Sequence, residues 1–274
     1  MTLLPEDKDH LVENGFLVVK GVLSVSKVEE VLSEANSIIQ VQLKRFGIAY
    51  TDGLFDNMKL LLERDASAYL SSLRLMAKLA AVRRLISSEC IESVLRELGC
   101  QTPTIPESPS FHVMSDQLKI PNGYFGFDAH QDWTSIQGAL NVLVCWVPLV
   151  PITVENFPLL VLPRSNQQGM LEGVIQDNAY QVDQTLIDHD AFVPAIADVG
   201  DIVLMTGWTV HKSGVENCSG FRLAVSNRWE DAQEPTFVER NYPCAYKKYV
   251  HRELITPDFP SHKQIVDIQQ IWRA

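Results

Sequence analysis

Apolar and polar positions divide this chain into two regimes. From Val25, apolar residues recur at Val28, Val31, Leu32, Ala35, Ile38, Ile39, Leu43 and Phe46. This is the i, i+3, i+4 stripe of an amphipathic helix. Ser26 followed by Glu29 reads as a capping box, and Gly47 as the stop. Helical spacing returns from about Ala66 to Ile86 and from about Ser88 to Leu98, the latter closed by Gly99. Ahead of these, GFLVVKGVL reads as a short strand. The helices carry no catalytic pattern, so they are expected to form a packing layer.

After Gly99 the character changes. TPTIPESPS is a Pro/Ser loop, and short apolar runs follow between turn residues: FHVMSDQLKI, GALNVLVCWVPL, FPLLVL, DIVLMTGWTVHK and FRLAVSNRW. They are rich in Val, Leu, Ile and aromatics, as strands are. Several are apolar on both faces, which predicts strands buried between two layers. The alternation with long helices that a Rossmann fold needs is missing, and neither GxGxxG nor a P-loop occurs. The pattern predicts a mainly β jelly roll, a double-stranded β-helix of cupin type, with N-terminal helices packed on one sheet. With no flexible linker in between, residues 1–274 read as one domain. Within it, 1–100 form the helical layer and 101–274 the core.

Composition narrows the function classes. The chain has 274 residues, 46% hydrophobic and 21% charged, enough for a sizeable core. Lys plus Arg number 23 and Asp plus Glu 34, a net charge of −11. Such a surface repels nucleic acid and anionic lipid, and no local basic patch offsets it. Five cysteines, Cys90, Cys100, Cys145, Cys218 and Cys244, form no CxxC pair. A disulfide framework and a cysteine zinc site are both disfavoured. MTLLPEDKDH lacks the features of a signal peptide. No apolar run reaches the roughly 18 residues of a membrane span. IWRA is neither a peroxisomal nor a prenylation tag. The expectation is a soluble protein of a reducing, cytoplasmic compartment that acts on a small molecule.

Candidate chemistry centres on His130-Gln131-Asp132. On a strand, residues i and i+2 share a face, so an imidazole and a carboxylate would project together as two metal ligands. His-x-acid pairs also arise by chance, and His251-Arg252-Glu253 is read as one such accident. A second feature adds weight. His211 ends the apolar run GDIVLMTGWTVHKSG, and Arg222 opens FRLAVSNRW. If the intervening SGVENCSG is a hairpin loop, the two pair across it and face the same way. A buried-strand arginine calls for an anionic partner, and a ligand carboxylate is one candidate. A surface arginine on an edge strand is the alternative. Two histidines and one carboxylate with open positions form the facial triad of non-heme Fe(II) oxygenases. An arginine nearby suits a bidentate grip on a 2-oxo acid.

The order HQDW…H…R resembles the phytanoyl-CoA dioxygenase family of Fe(II)/2-oxoglutarate-dependent oxygenases. The matching pieces are HQDW at 130–133, NVLVCWVPL, ITVENFPLLVLPRSNQQG, GDIVLMTGWTVHKSG, FRLAVSNRW and the opening GFLVVKGVLS with its helix. The resemblance covers most of the chain. It implies His130, Asp132 and His211 as iron ligands and Arg222 on the distal carboxylate of 2-oxoglutarate. It also implies Ser213 as a second contact to that carboxylate and Trp146 as a pocket tryptophan. Gln117 and Gln137 are weaker candidates for the cofactor or substrate wall. Trp146 serves equally as core, Ser213 as the start of a turn and Gln137 as a cap. LPRSN departs from the family's PGSH-like segment, and the VENFP connection matches loosely. Both border the substrate mouth, so they bear on substrate identity.

The implied reaction couples O2-dependent decarboxylation of 2-oxoglutarate, giving succinate and CO2, to hydroxylation of an unactivated C–H bond. Asp132 fills the position that related halogenases free for halide, which favours oxidation over halogenation. Desaturation or epimerisation would need only a different fate for the substrate radical. A non-redox, cupin-like metal- or ligand-binding module is the alternative of another class. A free metabolite is preferred over an acyl-CoA, because the acidic surface opposes a polyanion. Two polar segments, Gly53–Asp65 and Gln167–Asp190, are read as loop-like lids.

Overall fold

The computed structural model describes residues 2–120, 125–176, 179–243 and 258–273. Helices come first: α1 (Pro5–Asn14), α2 (Val25–Arg45), α3 (Leu54–Arg64), α4 (Ala66–Met76), α5 (Ala80–Ile86) and α6 (Glu89–Glu97). A single strand, β1 (Phe16–Val19), interrupts them. The apolar stripe of α2 buries Val28, Val31, Ala35, Ile39 and Leu43 completely. Each Val, Ile or Leu among them contributes roughly 1.5–3 kcal/mol by leaving water, and Ala35 less.

The remaining strands are β2 (Pro103–Thr104), β3 (Ser110–Met114), β4 (Leu143–Pro148), β5 (Leu159–Val161), β6 (Gly173–Gln176), β7 (Ala179–Val182), β8 (Val193–Ala195), β9 (Ile202–Thr206), β10 (His211–Ser213) and β11 (Arg222–Asp231). Three short helices accompany them: α7 (Trp133–Ile136), α8 (Pro235–Glu239) and α9 (His262–Ile268). The larger sheet runs β1-β9-β4-β11-β2, with β3 also paired to β11. The smaller sheet runs β10-β5-β8, and β6–β7 form a hairpin. All the pairings are antiparallel. This is the expected jelly roll, with the helices covering the outer face of the larger sheet.

Strand alternation sorts the core into two compartments. Leu143, Cys145, Val147, Ile202, Leu204, Leu223, Val225 and Trp229 pack outward with the helices. Val144, Trp146, Val203, Met205 and Ala224 point inward and meet Leu159, Val161 and Ala195 of the smaller sheet. Burial on both faces explains the unbroken apolar run of β4 in the sequence. β11 is different. Its outward residues are largely apolar, whereas its inward set is Arg222, Ala224, Ser226, Arg228 and Glu230, all buried or nearly so.

Several local expectations need correction. The N-cap position of α2 is Ser24, because the helix starts at Val25; its hydroxyl makes no capping bond and lies 2.6 Å from that of Ser26. The region 66–86 is two helices, divided where Leu79 leaves the helical conformation to cap α5. Gly53–Asp65 is no loop-like lid. It contains α3, whose Met58 and Leu61 are buried, and it packs on α2. Its charged residues hid the helical spacing. Buried Asn57 fixes it by bonding the backbone of Thr51 and the side chain of Asn36. Within Gln167–Asp190 the described residues include the β6–β7 hairpin. His251, Arg252, Glu253 and Cys244 lie outside the described residues. Among those described, no helix is long and apolar enough to cross a membrane.

Glu230 braces the segment that leads into β4. Its Oε1 accepts from Ala139 N at 2.7 Å. The approach requires Gly138, where a Cβ would stand 1.6 Å from that oxygen. Burial pushes the Glu230 carboxyl up to about 7, aided by Glu234 and opposed by the Ala139 bond and Arg240. The folded state therefore holds a proton that the unfolded chain releases near 4.5. Stability from this group is lost as pH rises through about 7. Glu230→Gln keeps the acceptor and removes the titration. Its stability relative to the parent is expected to rise between pH 5 and pH 8, by up to about 3 kcal/mol, measured by denaturant melts at both pH values.

Candidate metal centre

Two backbone hydrogen bonds bring the distant histidines together. His130 N donates to His211 O and His211 N to His130 O, each at 3.1 Å, an isolated antiparallel bridge. Directly paired residues share a face. The imidazole centroids accordingly stand 4.2 Å apart.

Asp132 reaches the same place by a different route from the one expected. Only His130 is bridged. The chain then leaves extended geometry, and Asp132, with φ −70° and ψ −29°, stands at the N-cap position of the four-residue helix α7. The strand-face argument for His130 and Asp132 therefore fails. A corner at Gln131 does the work instead. The buried Gln131 amide donates to Gly169 O at 2.8 Å and Trp208 O at 2.6 Å, and accepts from Leu171 N at 2.9 Å. Next to it Trp133 stacks on Trp208, with centroids 4.6 Å apart and planes at 24°. Their indole N–H groups donate to Ala139 O and Leu140 O. The short helix that carries Asp132 is thus locked to the segment that carries His211.

The donor atoms converge. His130 Nδ1 lies 2.7 Å from Asp128 O, and His211 Nδ1 lies 3.0 Å from Thr209 O. A carbonyl can only accept, so each Nδ1 carries a proton, which leaves Nε2 as the nitrogen able to offer a lone pair. Those Nε2 atoms face Asp132, at 3.7 Å from Oδ1 for His130 and 3.9 Å from Oδ2 for His211. One ligand atom from each of the three residues lies within 4.8 Å of the other two. Burial alone would raise the Asp132 carboxyl. The Arg228 guanidinium and the two imidazoles outweigh it and hold the group well below the usual carboxylate range. Burial, then the neighbouring His130, pulls His211 down to about 4, so it is a neutral base at pH 7. Two lone pairs and an ionised carboxylate aimed at one another are all acceptors. A cation suits such a set, and three donors without cysteine leave positions open on it.

Arg222 also stands near this centre, but not across a hairpin. β10 pairs with β5, His211 opposite Val161, whereas β11 pairs with β3 and β4, Arg222 opposite Met114. The loop between them carries the chain from one sheet to the other, so Arg222 faces β10 across the interior. Arg222 Nη2 lies 3.5 Å from Ser213 Oγ, and Nη1 donates to Phe157 O at 2.7 Å. Trp146 lies in the interior cluster between the sheets. Gln137, fully buried with φ 57°, donates to Thr134 O inside its own turn. Gln117 is exposed, and its amide oxygen accepts from Lys59.

Three residues near the centre escaped the sequence reading. Gln131 stands in the sequence only as the spacer of His-x-Asp, and its side-chain bonds are all to distant segments. Arg228 Nη2 lies 3.0 and 3.1 Å from the two oxygens of Asp132. His112, on the inward face of β3, lies 2.8 Å from Ser226 Oγ. Burial, with Arg222 and Arg228 nearby, drives His112 down to about 3, so it is neutral. The signal for Arg228 was present in parity: positions 222 and 228 share a strand face.

The profile of the family described as phytanoyl-CoA dioxygenase (PhyH) matches residues 11–224. Among curated proteins, bovine peroxisomal phytanoyl-CoA dioxygenase is 23% identical over 249 residues, covering 83% of this chain and 68% of its own. Bovine phytanoyl-CoA dioxygenase domain-containing protein 1 is 25% identical over 255 residues, covering 77% and 84%. Among solved structures, the apo non-heme monooxygenase ThoJ aligns with a TM-score of 0.55 at 13% identity, covering 96% of this chain and 98% of that one. The epimerase SnoN, solved with Fe3+, alpha ketoglutarate and nogalamycin RO, aligns with a TM-score of 0.55 at 18% identity, covering 83% of each chain. At these identities the structural likeness speaks for the fold.

Gln131→Met keeps the volume at the corner and strands two buried carbonyls and one N–H. The variant is expected to lose about 2–4 kcal/mol in an equilibrium denaturant melt. A melt within about 0.5 kcal/mol of the parent would show that Gln131 does not hold this corner.

Proposed function

Because this chain belongs to the phytanoyl-CoA dioxygenase family of Fe(II)/2-oxoglutarate-dependent oxygenases, we propose that it hydroxylates an unactivated C–H bond of a small-molecule metabolite. The observation that carries this reading is the convergence of two Nε2 lone pairs and one ionised carboxylate within 4.8 Å. His130, Asp132 and His211 would hold Fe(II). Once bound, the metal supplies the oxidation: 2-oxoglutarate and O2 give succinate and CO2, and one oxygen atom enters the substrate C–H bond.

The protein's own contribution is binding, charge and exclusion of water. Arg222 anchors the far carboxylate of 2-oxoglutarate. Ser213, beside it, is two residues along β10 from His211. That is about 7 Å of strand, a length that a five-carbon dicarboxylate can span. Trp146, Val144, Val203 and Ala224 wall the interior with apolar surface, which keeps water from the reacting atoms. Neutral His112 adds a hydrogen-bonding group to that wall without adding charge.

Hydroxylation is the finer part of this reading. Asp132 fills the coordination position that halogenation would need empty. The net charge of −11 favours a free metabolite over a polyanionic CoA ester. We read residues 1–274 as one catalytic unit whose helices brace the larger sheet. Cys90, Cys100, Cys145 and Cys218 are free thiols, in keeping with a reducing, cytoplasmic setting.

With Fe(II), 2-oxoglutarate and O2, the protein is expected to form succinate slowly even without substrate. His130→Ala and Asp132→Ala should each lower that rate at least about 100-fold, because loss of a ligand exceeds the roughly 10–100-fold cost of losing an outer-shell partner. Arg222→Met should raise the KM for 2-oxoglutarate by about 10–100-fold, the value of a charge-assisted hydrogen-bond pair. Succinate formed at the parental rate by Asp132→Ala would refute the assignment.

A further inference from the structure

We propose that Arg228 restricts Asp132 to binding the metal through a single oxygen, and so keeps one coordination position open for reactants. The inference rests on the metal-site reading above and assigns a residue that this reading does not use.

The geometry is specific. Both contacts from Arg228 to Asp132 are made by the same nitrogen, Nη2, at 3.0 Å from Oδ1 and 3.1 Å from Oδ2. An arginine that merely neutralises a carboxylate commonly uses two nitrogens in a parallel fork. A single atom nearly equidistant from both oxygens lies close to the plane that bisects the carboxylate. An ion chelated by both oxygens must lie in that plane too. The guanidinium nitrogen therefore competes for the chelating position. The two imidazoles approach from the flanks, His130 nearer Oδ1 and His211 nearer Oδ2. The flanking imidazoles alone would let an ion meet both oxygens; with Nη2 on the bisecting position, such an ion would take one oxygen and leave the other hydrogen-bonded to Arg228.

Arg228 is itself well fixed. It lies on the inward face of β11, opposite Val144 of β4, and its Nη1 is 3.5 Å from Ser110 Oγ on β3. The consequence is one of counting. Two imidazoles and one carboxylate oxygen leave three positions on an octahedral ion, enough for a bidentate oxo acid and dioxygen. A chelating carboxylate would leave two. Arg228 is thus a positioning residue that acts through Asp132.

The number of exchangeable waters on bound Mn(II) tests this directly, through water proton relaxivity of the full-length protein without co-substrate. The parent is expected to hold three such waters. Arg228→Met should hold two, with relaxivity per bound ion lower by about a third, because the freed carboxylate chelates. Arg228→Lys, which keeps a cationic donor on a slightly shorter side chain aimed at Asp132, should restore the parental value. Arg228→Gln serves as the donor-weakened variant if Arg228→Met does not fold by circular dichroism, and the same drop is expected. Unchanged relaxivity in a folded, Mn(II)-loaded Met or Gln variant would overturn the role of Arg228 and leave the metal centre standing. Failure of the parent to take up Mn(II) would overturn the centre and this role together.

Discussion

The centre depends on one constraint, the reciprocal backbone pair between His130 and His211. Two N–H groups and two carbonyls, each bond 3.1 Å, fix segments 81 residues apart to the same register. Once they are paired, the imidazoles fall side by side without further adjustment. Everything else refines that juxtaposition. Carbonyls of Asp128 and Thr209 set the tautomers, Gln131 turns the corner, and the stacked Trp133 and Trp208 hold the carboxylate-bearing turn against its neighbour. A centre built this way is rigid because its ligands hang on backbone, whose hydrogen bonds must be satisfied wherever water is excluded.

The two sheets divide the labour. The larger one is anchored from outside by helices, so its inward face can carry residues that would be costly in an ordinary core. β11 shows this most plainly, with Arg222, Ser226, Arg228 and Glu230 alternating against a largely apolar outer face. Two buried guanidinium groups are tolerable only with anions or strong acceptors close by. Arg228 has Asp132, and Arg222 has the Phe157 carbonyl with the Ser213 hydroxyl next to it. The smaller sheet supplies His211 and Ser213 from the opposite side.

Fold class was legible because burial on two faces leaves a mark: runs such as LVCWVP cannot be an edge or a solvated sheet. The main helices were legible from their stripes. The failures at the centre share a cause, which is that pairing across long sequence separations leaves no local pattern. His211 and Arg222 looked like hairpin partners because only a loop separates them, yet each pairs with strands far away in the chain. Asp132 looked like a strand residue because His-x-Asp fits a strand, whereas it begins a helical turn held by tertiary contacts. α3 was hidden by its own charges. The types of the candidate ligands were readable, while the way they meet was not.

The β6–β7 hairpin carries a last implication. Gln181 on its inner strand bridges the backbone at His130, and Val182 N donates to Ala129 O at 2.9 Å. Its outer strand exposes Val174 and Ile175. The backbone at His130 is thus flanked on both sides, by His211 and by the hairpin, so rim and centre belong to one continuous ladder.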